Sequence, residues 1–169
     1  MIYTQESIFK MAIEQNKEKL NSITGMHSEE ELANLTKIAE CYNNSMDIIK
    51  RLNLNDFQKE KFLDVASKNL YSDRQLTQIA YGVCNLYKSE FEIQENAEEK
   101  LDLLSNPEYS NVRMAQMYIG IVKNLTLDEM KECLEASEDD IVETTKKVYC
   151  RHYNKEYIGK ERDEEEEIR

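Results

Sequence analysis

Apolar residues in this chain recur at intervals of three and four, and β-branched residues do not cluster in alternating runs. That spacing predicts helices rather than strands. Helix one is expected over 5–23, capped by Thr4, with Ile8, Phe9, Ala12, Ile13, Leu20 and Ile23 on its apolar face and Gly25 at its end. Ser28 with Glu31 forms a capping-box pattern before a second helix over 29–52. There Leu32, Leu35, Ala39, Tyr42, Met46 and Ile49 step as an a/d seam. Ile38 and Ile48 widen that face, which favours a core helix over a coiled coil.

Further helices are expected over 56–69, capped by Asn55 with Gln58, and over 73–87. Ser89-x-x-Glu92 opens one over 90–104, and another follows over 111–124. Thr126 with Glu129 opens a short helix ending near 135. Ser137-x-x-Asp140 opens the last, to about 157, with Ile141, Val148, Tyr149 and Tyr153 on its apolar side and Gly159 closing it.

The middle of the chain is duplicated. Residues 62–83 and 100–121 align without a gap at an offset of 38, and seven of the 22 positions are identical. These are Leu63/Leu101, Asp64/Asp102, Ser67/Ser105, Tyr71/Tyr109, Ser72/Ser110, Gln78/Gln116 and Gly82/Gly120. A fixed-period match of this kind marks repeated helical units. Each unit reads as a helix end, a short link and a serine-capped helix; Pro107 breaks the helix in the second link. Ser72 has Gln75 three residues on and completes a capping box, whereas Ser110 is followed by Arg113 and does not. The recurrent glycine points to close helix approach or a helix end. Two clear units are fewer than a solenoid usually needs. The expected fold is therefore all-α: a compact bundle of about eight helices, one domain over 1–159, with a charged tail over 160–169.

Composition narrows function mainly by exclusion. With 34 acidic against 22 basic residues, the formal net charge is −12. Such a chain repels nucleic-acid backbones and anionic membranes, and suits a basic partner. It shows no secretory leader and no stretch near the ~20 apolar residues of a membrane span. The four cysteines form no CxxC pair. A soluble, cytoplasmic, reduced protein is expected.

Catalytic and cofactor motifs are lacking. There is no phosphate-binding glycine loop, HExxH or EF-hand pattern. His27 and His152 are the two histidines, and neither has a glutamate three residues before it, as a di-metal bundle needs. Cys150 and His152 stand two apart on a helix and face different sides. No metal, no cofactor and no enzymatic activity are expected. Residues 114–134 have a helix-turn-helix look, but Asp128, Glu129 and Glu132 would face phosphates, so no direct nucleic-acid contact is expected.

Acidic clusters stand out instead. Six acids accompany one lysine between Ser89 and Asp102, and eight accompany one lysine between Asp128 and Glu143. Carboxylates at helical i, i+3 and i+4 positions can present an array of negative charge. The candidate partner-binding residues are Glu92, Glu95, Glu98, Glu99, Asp128, Glu129, Glu132, Glu135, Asp139 and Asp140. The bland reading of these clusters is a solvated charged face; the alternative function is a structural or assembly protein that self-associates through helical faces, the seam of the second helix foremost.

Residues 62–135 also resemble a short helical repeat of uncharacterised Firmicute phage and mobile-element proteins. Asn106, Pro107, Tyr109, Ser110, Met114, Met117, Gly120, Leu125 and Met130 carry the likeness, while Arg113 and Asn124 depart from it where that repeat has glutamine and a second glycine. The resemblance implies an accessory protein of a mobile element, and by extension an inhibitor of a nucleic-acid-binding host complex, similar to anti-CRISPR proteins. It implies no activity.

Overall fold

A computed structural model of the chain describes residues 5–14 and 29–154, with the side chains at 11–14, 31 and 32 excepted. The expected Thr4 cap, Gly25 stop, Ser28 capping box, His27, Gly159 and charged tail lie outside the described residues, as do the side chains of Ala12, Ile13 and Leu32. Helices α1 Gln5–Glu14, α2 Glu29–Arg51, α3 Asp56–Ala66 and α4 Asp73–Leu86 come first. A two-stranded hairpin follows, β1 Tyr87–Ser89 and β2 Glu92–Ile93, then α5 Ala97–Leu104, α6 Asn111–Val122, α7 Leu127–Leu134 and α8 Ile141–His152. The fold is all-α, as the apolar spacing predicts. The chain divides into two compact units, Met1–Cys84 and Asn85–Arg169, each holding one copy of the repeat.

In the first unit α1 packs on α2, and α2 on α3. Phe9 meets Tyr42 edge-on, with centroids 5.5 Å apart. The buried stripe of α2 runs through Leu35, Ile38, Cys41, Ser45, Ile48 and Ile49, whereas Ala39, Tyr42 and Met46 of the expected seam are only half-buried. Ile38 and Ile48 thus set the centre of the face. Ser45 is tolerated in that stripe because its hydroxyl donates back to the Cys41 carbonyl at 2.7 Å.

The duplication is a repeat of local geometry. Ser67 and Ser105 each follow the last helical residue, and their hydroxyls donate to the Asp64 and Asp102 carbonyls at 3.0 and 3.4 Å. Leu63/Leu101, Ala66/Leu104, Leu76/Met114, Ile79/Met117 and Val83/Ile121 are buried in both copies. Ser72 and Gln75 form the expected reciprocal capping box. Ser110 accepts from the Arg113 amide alone. Gly120 meets the expectation of close approach: a Cβ there would lie 3.0 Å from Met130 Cγ on α7.

Three expectations need correction. Residues 90–96 are not helical. The Ser89 hydroxyl accepts from the Phe91 amide at 3.2 Å, within a tight turn, and so does not cap a helix at Glu92. The strands flanking that turn hold Tyr87 and Ile93, aromatic and β-branched, and they pair across it. At the other site, Ser137 bonds Asp140 Oδ2 at 3.1 Å within a turn, and α8 begins only at Ile141. Tyr153 is also displaced from the expected apolar face: it is exposed, and its hydroxyl donates to the Lys123 carbonyl.

Helix ends are closed largely without glycine. Asn53 and Asn124 have left-handed φ of 55° and 57°. After α2, the Leu54 amide donates to Ile49 and the Asn53 amide to Lys50; after α6, Leu125 donates to Gly120 and Asn124 to Ile121. Both are Schellman closures, in which asparagine can stand where glycine is commonest. An alanine at Asn124 must adopt a conformation that its Cβ disfavours. Asn124→Ala is therefore expected to cost about 1–2 kcal/mol, and Asn124→Gly to stay within about 0.5 kcal/mol of the parent, read by urea unfolding.

The second copy buries a charged residue. Lys100 occupies the position of the fully buried Phe62 and is 2% exposed. Its ammonium donates to Gln94 Oε1 at 2.6 Å, and Gln94 in turn donates to the Ile121 carbonyl at 3.2 Å. Burial lowers the Lys100 pKa, against the opposing pull of Glu95 and Glu129. A buried cation of this kind commonly costs more in desolvation than it recovers. Lys100→Met is expected to stabilise the protein by about 1–3 kcal/mol in urea unfolding at neutral pH. The sign of the pH dependence follows. With the folded pKa below the usual lysine range, the unfolded chain binds more protons between the two values, so parent stability rises with pH there. The Lys100→Met protein lacks that rise.

Candidate protein-binding surface

All ten acids expected to contact a partner lie in the second unit, where α5, α6, α7 and α8 pack against one another. The structure sorts them by what they touch. Glu129 is half-buried and held by neighbours within the fold. Thr126 caps α7, and the Glu129 carboxylate accepts from the Thr126 amide at 2.8 Å, closing the box predicted from sequence. His152 Nδ1 lies 2.7 Å from the same oxygen. An ionised carboxylate has no proton to give, so the ring nitrogen donates. Burial pushes the Glu129 carboxyl up, but the Thr126 amide, the His152 ring and the Thr126 hydroxyl outweigh it and hold the carboxyl below the usual range.

Glu132 is engaged as well. It pairs with Arg151 of α8, whose Nη1 lies 2.9 Å from Oε1, and this bond holds the Glu132 carboxyl below its usual value. Together the Glu129–His152 and Glu132–Arg151 pairs tie α7 to α8. Between the two helices lie Cys133 and Thr145, both buried; Thr145 satisfies its hydroxyl on the Ile141 carbonyl at 2.8 Å. Burial raises the Cys133 thiol, as it does Cys41 and Cys84, so these cysteines behave as small apolar groups.

Asp140 is bound to Ser137, and Glu92 pairs with Lys88 across the hairpin at 3.9 Å. Glu95 is exposed and, like Glu129, acts on buried Lys100. Glu98, Glu99, Asp128, Glu135 and Asp139 are exposed and form no ion pair with another described residue. Glu98 and Glu99 occupy the first turn of α5 and Asp128 that of α7, where the helix dipole favours negative charge. Packing of α5 against α7 makes the helices that carry the two clusters neighbours.

Sequence reasoning missed two structural features here. Arg113 is one: its Nη1 and Nη2 donate to the Leu134 and Ala136 carbonyls at 3.0 and 3.1 Å, and its Nε to Glu138 at 3.2 Å. Glu138 also accepts from the Ser110 hydroxyl, and that bond, with Arg113, holds its carboxyl low. The missing capping-box partner at 113 was the available signal. The other is the hairpin. Its turn residue Phe91 is 97% exposed, beside Ile93 at 48%.

Among the described residues no His, Cys, Asp and Glu group could hold a metal ion, and no helix is long and apolar enough to cross a membrane. Comparison with known proteins finds no matching family model, no matching curated protein and no matching solved structure.

The depressed Glu129 carboxyl sets an acid limit. Its stabilisation is complete above the usual glutamate range and is lost as pH falls through the depressed folded value. Glu129→Gln is expected to lower stability at pH 7 by about 1 kcal/mol and to flatten the loss below about pH 4.3, read by urea unfolding across that range.

Proposed function

We propose that this chain is a non-enzymatic protein-binding module that engages a partner with a basic surface through acidic residues of its second unit. One observation carries the reading. Within a dense set of acids, Glu129, Glu132 and Glu138 are spent on internal contacts, while Glu98, Glu99, Asp128, Glu135 and Asp139 are left exposed and unneutralised. A fold that already has lysines and arginines to pair with leaves these carboxylates facing water. Such a surface steers a cationic partner and tells it from an anionic one. The mobile-element likeness gives this module a setting: an inhibitor that occupies the nucleic-acid-binding surface of a host complex, as DNA mimics and anti-CRISPR proteins do.

Affinity capture from a bacterial lysate with the tagged chain tests the reading. It is run with and without nuclease, at low and high salt, and read by mass spectrometry. A dominant basic, nucleic-acid-handling protein is expected at low salt, lost at high salt and indifferent to nuclease. The Glu95→Gln/Glu98→Gln/Glu99→Gln chain is expected to recover about tenfold less of it while remaining folded by circular dichroism, since all three side chains are exposed. Recovery of the bait alone, or equal recovery by parent and variant, overturns the assignment; bait alone points to self-association.

A further inference from the structure

The hairpin between the two repeat copies presents an aromatic side chain to solvent on a braced support. Tyr87 at its base is 4% exposed and pairs with Ile93; Ser89 pairs with Glu92. The Gln94 amide donates to the Leu86 carbonyl at 2.8 Å below the strands, and the Phe91 amide donates to Ser89 Oγ in the turn. Phe91 itself contributes nothing to the core. Beyond the turn, Ile93 joins Ile121, Val122, Lys88, Gln94 and Asn124 around a groove of about 290 Å³. Ile93 and Val122 are exposed there.

An aromatic ring held in water on a short, preorganised turn loses little freedom when it is buried by another molecule. Charge selects that molecule. Glu90 and Glu92 flank Phe91 in the hairpin, Glu95 follows it, and all three are exposed; Lys88 pairs with Glu92, and Glu95 also acts on buried Lys100. Base stacking on nucleic acid would bring these carboxylates against phosphates, and an anionic membrane would repel them. A second copy of this chain, itself at net charge −12, brings more of the same sign. What remains is a protein surface with an apolar pocket edged by lysine and arginine.

We infer that Phe91 is the anchor of the partner interface: the ring inserts into an apolar pocket of a protein partner whose cationic edge pairs with Glu90, Glu92 and Glu95. This rests on the acidic-module reading and adds the apolar contact and its location. Hot-spot contacts of this kind are aromatic, central and ringed by polar groups.

The test uses a defined probe, a displayed library of random dodecapeptides selected on the full chain. Enriched peptides are synthesised and titrated against parent, Phe91→Ala, Phe91→Leu and the Glu95→Gln/Glu98→Gln/Glu99→Gln chain over a range of salt. Peptides joining lysine or arginine to aromatic or aliphatic residues are expected. Phe91→Ala should weaken them by at least about tenfold with the salt dependence intact, and Phe91→Leu should restore part of the loss. The triple variant removes Glu95 but keeps Glu90 and Glu92, so it should weaken the salt dependence and keep the response to Phe91. The exposure of Phe91 predicts parent-like circular dichroism for both substitutions. No enrichment, or binding to Phe91→Ala within about twofold of parent, overturns the anchor. Basic, salt-sensitive peptides indifferent to Phe91 remove the anchor and leave the acidic module standing. Enriched peptides that lack basic residues and ignore salt overturn both.

Discussion

The carbonyls at the ends of the helices are the constraint on which this structure depends. A helix leaves its last carbonyls without partners inside the helix, and burying them unpaired is costly. With four glycines and one proline in the whole chain, the commonest closing residues are scarce. Asparagine replaces glycine after α2 and α6, taking the left-handed conformation at Asn53 and Asn124. Elsewhere long polar side chains reach across from another helix. Gln5 of α1 donates to the Ala66 carbonyl at 3.1 Å and to that of Asn69, at and just beyond the end of α3. Arg113 of α6 does the same for the end of α7. Each bond satisfies a helix end and fixes a second helix against it, so local closure and tertiary packing are one event.

The two repeat copies show how that constraint diverges. Gln75 folds back on Ser72 to complete a capping box within one helix. Its counterpart Arg113 gives up that role, reaches the end of α7 and holds Glu138. Phe62 fills its core with hydrocarbon; Lys100 places an ammonium there and pairs it with Gln94. Both changes put charge and hydrogen bonding inside the second unit, where the exposed acids and the Phe91 hairpin also lie. The first copy stays closer to simple apolar packing. A shared backbone plan therefore supports an electrostatically richer second unit, and it is there that we propose a partner is recognised.

The acids look alike in sequence and differ in place. Glu129 and Asp128 are neighbours, yet one is fixed between Thr126 and His152 and the other faces water. Three-residue spacing marked Glu129 as a capping residue, but its second partner sits 23 positions away on α8. Glu132 and Arg151 are 19 apart, and Glu138 and Arg113 are 25 apart. No local pattern encodes such pairs, because they depend on which helix faces meet.

The sequence by itself determined the all-α class, most helix limits, the capping boxes at Asn55, Ser72 and Thr126, and the duplication. These follow from interactions within a few residues: apolar spacing, side chain to nearby amide, and breakers such as Pro107. Only the tertiary structure decided that residues 87–93 form a hairpin, that Lys100 is buried, and which carboxylates remain free. Helical periodicity cannot distinguish a serine that caps a helix from one that braces a turn, as at Ser89. Nor can it show whether a charge meets water or an opposite charge, since that partner is brought near only when the helices pack.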